Sequence, residues 1–210
     1  MKILVSAGPT REFWDPVRFI SNRSSGKMGY AIAEQAAERG HPTCLVSGPV
    51  SILPPAGVDL VRVVSAEEML VALRERLSWC DALIMAAAVA DWRPLHFHPQ
   101  KLKKREGSGT LELTRTSDIL QELALLKGNR VFVGFAAETE NLIEEASRKL
   151  KVKCLDLIVA NDVSRPDSGF EADSNQVVIL SGSGEREDLP LMSKLDVARH
   201  ILDRINATKV

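Results

Sequence analysis

The feature that most constrains the fold of this chain is a series of short apolar runs separated by segments with helical spacing. Residues 81–88 are almost continuously apolar, as in a strand of a parallel sheet that is covered on both faces. In residues 27–39, by contrast, apolar side chains recur at helical spacing, and Gly40 follows as a stop signal. This alternation predicts an α/β fold with a largely parallel sheet.

The other segments extend the pattern to a doubly wound, mostly parallel Rossmann-like sheet. Ser181-Gly182-Ser183-Gly184 separates two short apolar runs near the end of the chain and predicts a hairpin, which would add an antiparallel extension. We expect one domain over residues 1–210. Strands are predicted at residues 3–5, 45–46, 60–64, 81–88, 131–136, 155–160, 177–180 and 185–189, and helices at residues 27–39, 67–77, 119–126, 141–152 and 195–205.

Charge and cysteine content narrow the class of protein. The chain has 27 Lys+Arg against 28 Asp+Glu, a net charge of −1, whereas nucleic-acid binders normally show a basic excess. No apolar stretch approaches the ~18 residues of a membrane span. Cys44, Cys80 and Cys154 are widely spaced, which favours reduced thiols in the cytoplasm over disulfides or a zinc site. Cys44 lies in an apolar run and is predicted to be a core residue.

Two connections are much longer than the ~2–6 residues usual in α/β units. They span residues 8–26 and 91–116, and both follow the C-terminal ends of predicted strands. Open α/β sheets bind their ligands at that end of the strands. The sequence therefore predicts that the two loops form the functional site.

The first long loop ends in Ser21-Asn22-Arg23-Ser24-Ser25-Gly26-Lys27-Met28-Gly29, directly before a predicted helix. Small residues and free amides at a helix start favour a phosphate site. The alternative is a plain serine cap with flexible glycines. The motif is not G-x-G-x-x-G, and no acidic residue ends the second strand, so a conventional NAD site is disfavoured. It is not a Walker A loop, because Met28 follows Lys27.

The second long loop carries Lys101, Lys103, Lys104 and Arg105 near Gly107 and Gly109. A solvated tip is the simpler interpretation of such a charge run. The flanking glycines also allow a lid that lowers a lysine onto phosphates. A third polar segment contains Asp162, Asp167, Glu171 and Asp173, which form either a solvated acidic loop or a partial ligand set for nucleotide-bound Mg²⁺.

Seven blocks resemble the bacterial phosphopantothenoylcysteine synthetase family, in order and through most of the chain. They are SAGPTRE at residues 6–12, DPVR at 15–18, ISN with SSGKMG at 20–29, AAAVAD at 86–91, KLKK at 101–104, GFAAET at 134–139 and ANDV at 160–163. The resemblance implies that 4′-phosphopantothenate and CTP, with Mg²⁺ bound mainly through the triphosphate, give an acyl-cytidylate and pyrophosphate. L-cysteine then displaces CMP and forms an amide.

The resemblance also implies residue roles. Asn22 and Lys101 match the family's catalytic residues: an asparagine whose neutral amide can donate to the acyl oxygen, and a lysine on a flap, here residues 91–116, that covers the triphosphate or the intermediate. At the turn before residue 119 the chain has Thr116-Ser117 where the family has Asn-Pro. The implied nucleotide-binding residues are Gly8, Ser25, Gly26, Met85, Ala86, Ala87, Asp91, Lys101, Ser117, Asp118, Ile119, Leu120, Phe135, Lys149 and Lys153.

Several alternatives stay open. In many bacteria the synthetase follows a flavin-dependent decarboxylase, whereas nothing here precedes the first strand, so we expect a free-standing ligase or an excised domain and transfer neither decarboxylation nor FMN. ATP-using members share much of the fold, and the expectation of CTP depends on closeness to the bacterial motifs. A homodimer is implied by the resemblance. The rival hypothesis is a Rossmann-like NAD(P)-dependent oxidoreductase.

Overall fold

The computed structural model describes residues 1–103, 109–138, 140–162 and 172–208. The elements in chain order are β1 (Ile3–Ala7), β2 (Arg11–Phe13), β3 (Phe19–Ser21), α1 (Lys27–Glu38), β4 (Thr43–Ser47), β5 (Val58–Arg62), α2 (Ala66–Leu77), β6 (Ala82–Met85), β7 (Trp92–Pro94), β8 (Leu113–Arg115), α3 (Ile119–Ala124), β9 (Val131–Glu138), α4 (Leu142–Val152), β10 (Leu157–Asp162), β11 (Ser174–Asn175), β12 (Val177–Ser181), β13 (Arg186–Asp188), β14 (Met192–Ser193) and α5 (Lys194–Thr208).

Eight of these strands form one sheet in the order β13-β12-β10-β9-β6-β1-β4-β5. The six from β10 to β5 pair in parallel, while β12 and β13 are antiparallel additions at one edge. The predicted Rossmann-like fold with an antiparallel extension is therefore confirmed. The chain winds outward from β1 in both directions, so the strand order reverses between β1 and β6. Such a reversal leaves a crevice at the carboxyl ends of the two strands.

The sheet separates two apolar clusters, and the alternation of side chains along each strand decides which cluster a residue joins. Ile3 and Val5 of β1 pack in the cluster that contains α1 and α5. Leu4 packs on the opposite face, with α2, α3 and α4. Cys44 lies in this second cluster with 3% exposure, and burial raises the pKa of its thiol to about 11. The prediction of a core cysteine is confirmed.

Both long loops contain short two-stranded ribbons that the sequence analysis did not predict. In the first, Arg11, Glu12 and Phe13 pair with Ser21, Ile20 and Phe19 to form the β2–β3 hairpin. In the second, β7 pairs with β8. A further pair, β11 with β14, precedes α5. These strands have two or three residues, too few for an alternating pattern to stand out in the sequence.

The long apolar run 81–88 also differs from the prediction. Its regular strand, β6, ends at Met85. Beyond it the backbone still follows the extension of β1, since the Ala88 amide donates to the Gly8 carbonyl at 2.9 Å. Here the alanines line a cavity instead of filling the core.

Some predicted features lie outside the described residues: Lys104, Arg105 and Gly107 of the basic run, the middle of the expected flap, Asp167 and Glu171 of the acidic segment, and Thr139 and Val163 of the matched blocks. Within the described parts of the chain, no helix has the length and apolar character needed to cross a membrane.

Candidate functional site

A cavity of about 900 Å³ lies at the carboxyl ends of the central strands. It occupies the crevice that the reversal between β1 and β6 creates, where doubly wound sheets bind ligands. Of the predicted site residues, thirteen line it: Asn22, Gly26, Met85, Ala86, Ala87, Asp91, Ser117, Asp118, Ile119, Leu120, Phe135, Lys149 and Lys153. Gly8, Ser25 and Lys101 do not line it.

Glycines let the first long loop approach the end of β1. Gly8 and Gly26 have left-handed φ angles of 73° and 81°, a conformation that favours glycine. A Cβ atom on Gly26 would lie 2.7 Å from Val50 Cγ1 and 3.4 Å from Gly8 Cα, so the two loop backbones nearly touch. Gly8 therefore does not line the cavity itself but allows the lining residue Gly26 to pack closely against the end of β1.

Helix α1 points its amino end into this cavity. Gly26 is its N-cap and offers no side chain to the first amides, and the first turn carries no acidic residue. Free amides and the helix dipole together give this end a partial positive charge that favours anions. The predicted phosphate cradle therefore has suitable geometry.

Asn22 joins the first loop to the segment that follows β6. Its Nδ2 donates to the carbonyls of Ala88, at 3.0 Å, and Val89, at 3.1 Å. The two carbonyl acceptors fix which end of the amide is nitrogen. Both amide hydrogens are thus engaged with the protein, and donation to a substrate oxygen requires the exchange of one of these bonds.

One wall of the cavity consists of α3, α4 and the end of β9, and we call it the α3/α4 wall. Its two lysines are each matched by a carboxylate: Lys153 lies 3.0 Å from Asp118, and Lys149 contacts Glu138. Asp118 also caps α3 by accepting from the Gln121 amide. Apolar contacts come from Ile119, Leu120 and Phe135. This wall combines an apolar surface with two compensated ion pairs.

A second part of the lining, which we call the α1/α5 corner, contains Lys27, Asn175 and Lys194, and Asp173 lies beside Lys27. Lys27 Nζ lies 2.6 Å from Asp173 Oδ1, and this hydrogen bond lowers the pKa of Asp173. Lys194 is only 5% exposed. Burial, and secondly the charge of Lys27, lowers the pKa of Lys194 to about 8. The sequence analysis did not identify Asn175 or Lys194, because neither belongs to a motif.

Two further lining residues were also missed. Trp92 and Arg115 face each other across the first pair of the β7–β8 ribbon, with the guanidinium 5.6 Å from the ring centroid. The Thr116 amide donates to the Asp91 carbonyl at 3.0 Å, which closes the base of the ribbon. The only available signal was the position of these residues at the two ends of a long loop.

Lys101 lies on a segment that is fastened to the first loop. The neighbouring Leu102 amide donates to Asp15 Oδ2 at 3.2 Å, and its carbonyl accepts from Arg18 Nη2 at 3.1 Å. Asp15 is fully buried. The Arg18 side chain, with backbone amides of Val17, Arg18 and Leu102, holds the pKa of Asp15 well below its usual range and outweighs the effect of burial.

Within the part of the chain that is described, no group of three or more His, Cys, Asp or Glu side chains is placed to hold a metal ion. The carboxylates that line the cavity are Asp91 and Asp118.

Comparison with known proteins agrees with this architecture. The family model for the DNA/pantothenate metabolism flavoprotein C-terminal domain matches residues 1–208. The coenzyme A biosynthesis bifunctional proteins CoaBC of Bacillus subtilis and Escherichia coli are 48% and 46% identical over 98% of this chain. The chain spans about half of each, 51% of their length.

A solved structure shows the same fold over almost the whole length. The crystal structure of the C-terminal domain of a CoaBC protein is 45% identical, has a TM-score of 0.85, and is covered to 94%, with 98% of this chain matched. The chain therefore belongs to the family of the DNA/pantothenate metabolism flavoprotein C-terminal domain.

Proposed function

We propose that the chain is a phosphopantothenate–cysteine ligase of coenzyme A biosynthesis. The observation that carries this proposal is the cavity at the β1–β6 reversal. There the glycine cradle at α1, Asn22, Asp91 and the lysines of α4 come together, in a chain whose relatives act in coenzyme A biosynthesis by name. The residues suit reactions at phosphorus, where positioning and charge stabilisation supply most of the catalysis.

In the first proposed step, a carboxylate oxygen of 4′-phosphopantothenate attacks the α-phosphorus of CTP. The bond from that phosphorus to the bridging oxygen breaks, and the electron pair leaves with pyrophosphate. The product is an acyl-cytidylate. The amine of L-cysteine then attacks the acyl carbon, a proton is lost from nitrogen, and CMP leaves. Both nucleophiles belong to substrates, so the protein acts by binding and orienting them.

The contacts of Asn22 suggest how it takes part. Its amide bridges two backbone carbonyls beyond β6, next to the alanines that line the cavity. An acyl oxygen placed there would exchange for one carbonyl and receive a neutral donor, which stabilises developing negative charge without repelling phosphate.

We propose CTP as the nucleotide, with its nucleoside against the α3/α4 wall. Phe135 and the first turn of α3 supply apolar surface there, and Asp118 supplies an acceptor.

Mg²⁺ would enter with the triphosphate. Asp91 offers the carboxylate oxygens that this ion prefers, and the charge of the ion would neutralise part of the phosphate charge. A cytoplasmic location is part of the proposal and is supported by three free cysteines.

We also propose a homodimer formed through the two ribbon-bearing loops. More than half of the large exposed apolar side chains in the described residues lie on these loops: Val17, Phe19, Trp92, Leu95, Phe97, Leu102, Leu111 and Leu113. Exposed apolar patches of this kind favour association. Light scattering should give twice the chain mass, and Phe97→Glu should shift the protein toward monomer; a monomeric wild type would refute this part.

The decisive test of the activity is pyrophosphate release. We expect release with CTP only when 4′-phosphopantothenate is present, and conversion to the amide only when L-cysteine is added; ATP should be used more slowly. The rival oxidoreductase would instead be stabilised by NAD(P) and show a spectral change on hydride transfer. Absence of pyrophosphate under all these conditions would refute the ligase proposal.

A further inference from the structure

The segment between β6 and β7, residues 86–91, lies outside the regular strands of the sheet, although five of its six residues line the cavity. Its peptide groups therefore need hydrogen-bond partners other than those of a regular strand pair. One is the Ser6 hydroxyl, which accepts from the Ala87 amide at 3.2 Å. Another is Asn22, which donates to two carbonyls of the segment. The position of this part of the cavity lining thus depends on side chains from other parts of the chain.

Ala90 is held on both sides by threonine hydroxyls. Its amide donates to Thr10 Oγ1 at 2.9 Å, and its carbonyl accepts from Thr116 Oγ1. Thr10 belongs to the first long loop and Thr116 ends the second, so both loops are attached to the same residue. Ala90 is 5% exposed, and a buried amide that lost its acceptor would be costly. Ala90 directly follows the two residues whose carbonyls accept from Asn22, and it directly precedes Asp91.

Thr10 also fixes the first loop around Asn22. Its amide donates at 3.3 Å to the Ala88 carbonyl, which accepts from Asn22 as well. Its own carbonyl accepts at 2.7 Å from the hydroxyl of Ser21, the residue before Asn22. Thr10 is fully buried and does not line the cavity. It can therefore affect a bound ligand only through its neighbours.

We propose that Thr10 is a positioning residue of the ligase and that its buried hydroxyl keeps residues 88–91 in register with Asn22. This inference rests on the proposed ligase function and adds to it a residue that touches no substrate. Without the hydroxyl, the Ala90 amide would have to turn toward another acceptor, and the Ala88 carbonyl that orients Asn22 would move with it. Reactions that depend on orientation are sensitive to displacements of about 1 Å. The expected defect is in turnover, since the proposed nucleoside contacts lie on the α3/α4 wall.

The test replaces Thr10 by residues with and without a hydroxyl. Thr10→Val keeps the branched shape of the side chain and removes the hydroxyl. We expect kcat for pyrophosphate release in the complete reaction to fall by about 10- to 100-fold, with KM for CTP within about twofold of the wild-type value. Thr10→Ser keeps the hydroxyl and should restore most of the turnover. A wild-type kcat in the valine variant overturns the inference, and so does a serine variant as slow as the valine variant.

Thr43→Val is the matched control. Thr43 is 4% exposed, and its hydroxyl donates to the His41 carbonyl at 2.8 Å at the amino end of β4, on the opposite edge of the sheet. Both valine variants should melt at a lower temperature than the wild type because each loses a buried hydrogen bond. Only the Thr10 variant should lose turnover. Equal losses of turnover in the two variants would show a general effect of stability and would overturn the inference.

Ser21→Ala covers the case in which Thr10→Val does not fold, since Ser21 is exposed. It removes the hydrogen bond to the Thr10 carbonyl and should lower kcat by about three- to tenfold, again with KM for CTP unchanged. An unchanged kcat in this variant would overturn the inference, because the contacts of Thr10 would then not hold Asn22. Failure of the wild type to release pyrophosphate under the same conditions refutes the proposed function instead.

Discussion

The two long loops at the carboxyl edge of the sheet are built in different ways. The first is tied down along its length: Glu12 accepts from the Ala66 amide at the start of α2, Ser21 Oγ donates to the Thr10 carbonyl, and Asn22 bridges two carbonyls. The second has a short ribbon at its base, and in its described part it is fastened to the first loop by the His98 amide, which donates to the Trp14 carbonyl at 2.8 Å, and by Asp15 and Arg18. A rigid loop suits a residue that must be in place before reaction. A loop whose described part is fastened mainly to another loop suits a residue that must change position during the reaction.

Because the first loop holds Asn22 in place, we predict that a charged residue at this position abolishes most of the activity. In Asn22→Asp the carboxylate would face the carbonyls of Ala88 and Val89 without hydrogens to share, and it would repel phosphate. We expect turnover to fall by about 100-fold or more, measured as pyrophosphate release and amide formation. Asn206→Asp, an exposed site on α5, is the control. Near-normal turnover would remove Asn22 from the mechanism.

Lys101 should instead affect one half of the reaction. We expect Lys101→Gln to slow amide formation by about 10- to 100-fold while CTP affinity stays within twofold or so, because the residue lies outside the cavity in the absence of substrates. Single-turnover experiments separate the two steps. Lys103→Gln serves as the neighbouring control. A loss of CTP affinity alone would contradict the prediction.

The attachment of the Lys101 segment to the first loop is tested by Asp15→Asn, which weakens the hydrogen bonds of this side chain with Arg18 and with the Leu102 amide. We expect a fall of roughly tenfold in kcat with little change in KM for CTP, as for a positioning residue, together with faster tryptic cleavage after Lys101 or Lys103. Glu145→Gln removes another (i,i+3) carboxylate–arginine pair, on α4, and should do neither. Unchanged cleavage would show that Asp15 does not hold the segment.

The smallest effect is expected where the first loop meets α2. Glu12 is 6% exposed and its Oε1 lies 2.8 Å from the Ala66 amide, so Glu12→Gln weakens a charge–dipole interaction. We expect a loss of about 1 kcal/mol in the free energy of unfolding, read from urea titrations, with activity nearly intact. The exposed Glu67→Gln should cost less. Equal losses would show that burial adds nothing here.

The main sheet could be predicted from the sequence because most of its strands can be recognised from a short run of neighbouring residues. Burial on both faces requires a continuous apolar run, as in β6, β9 and β10, and the helices between them show their own period. The glycine cradle was also recognisable, since left-handed angles and close approaches restrict the residue type at Gly8 and Gly26.

The α1/α5 corner could not be predicted in this way. Lys27 and Lys194 are far apart in the sequence, and they meet only because α1 and α5 pack on the same face of the sheet. The residues next to Lys194 in the sequence do not distinguish it from a solvated lysine at the start of a helix. The hydrogen bond between Asp15 and the Leu102 amide also joins residues that are far apart in the sequence. Both residues belong to recognised motifs, but the motifs do not show that the two meet.

The placement of the cysteines has a chemical consequence. An acyl-cytidylate is an electrophile, and a thiolate of the protein close to it would divert the acyl group to a thioester. Cys44 and Cys80 are buried in the cluster on the α2 face, and Cys44 resists ionisation. None of the described cavity-lining residues is a cysteine. Cys154 is exposed but does not line the cavity. The proposed site thus leaves its activated intermediate to the incoming amino acid.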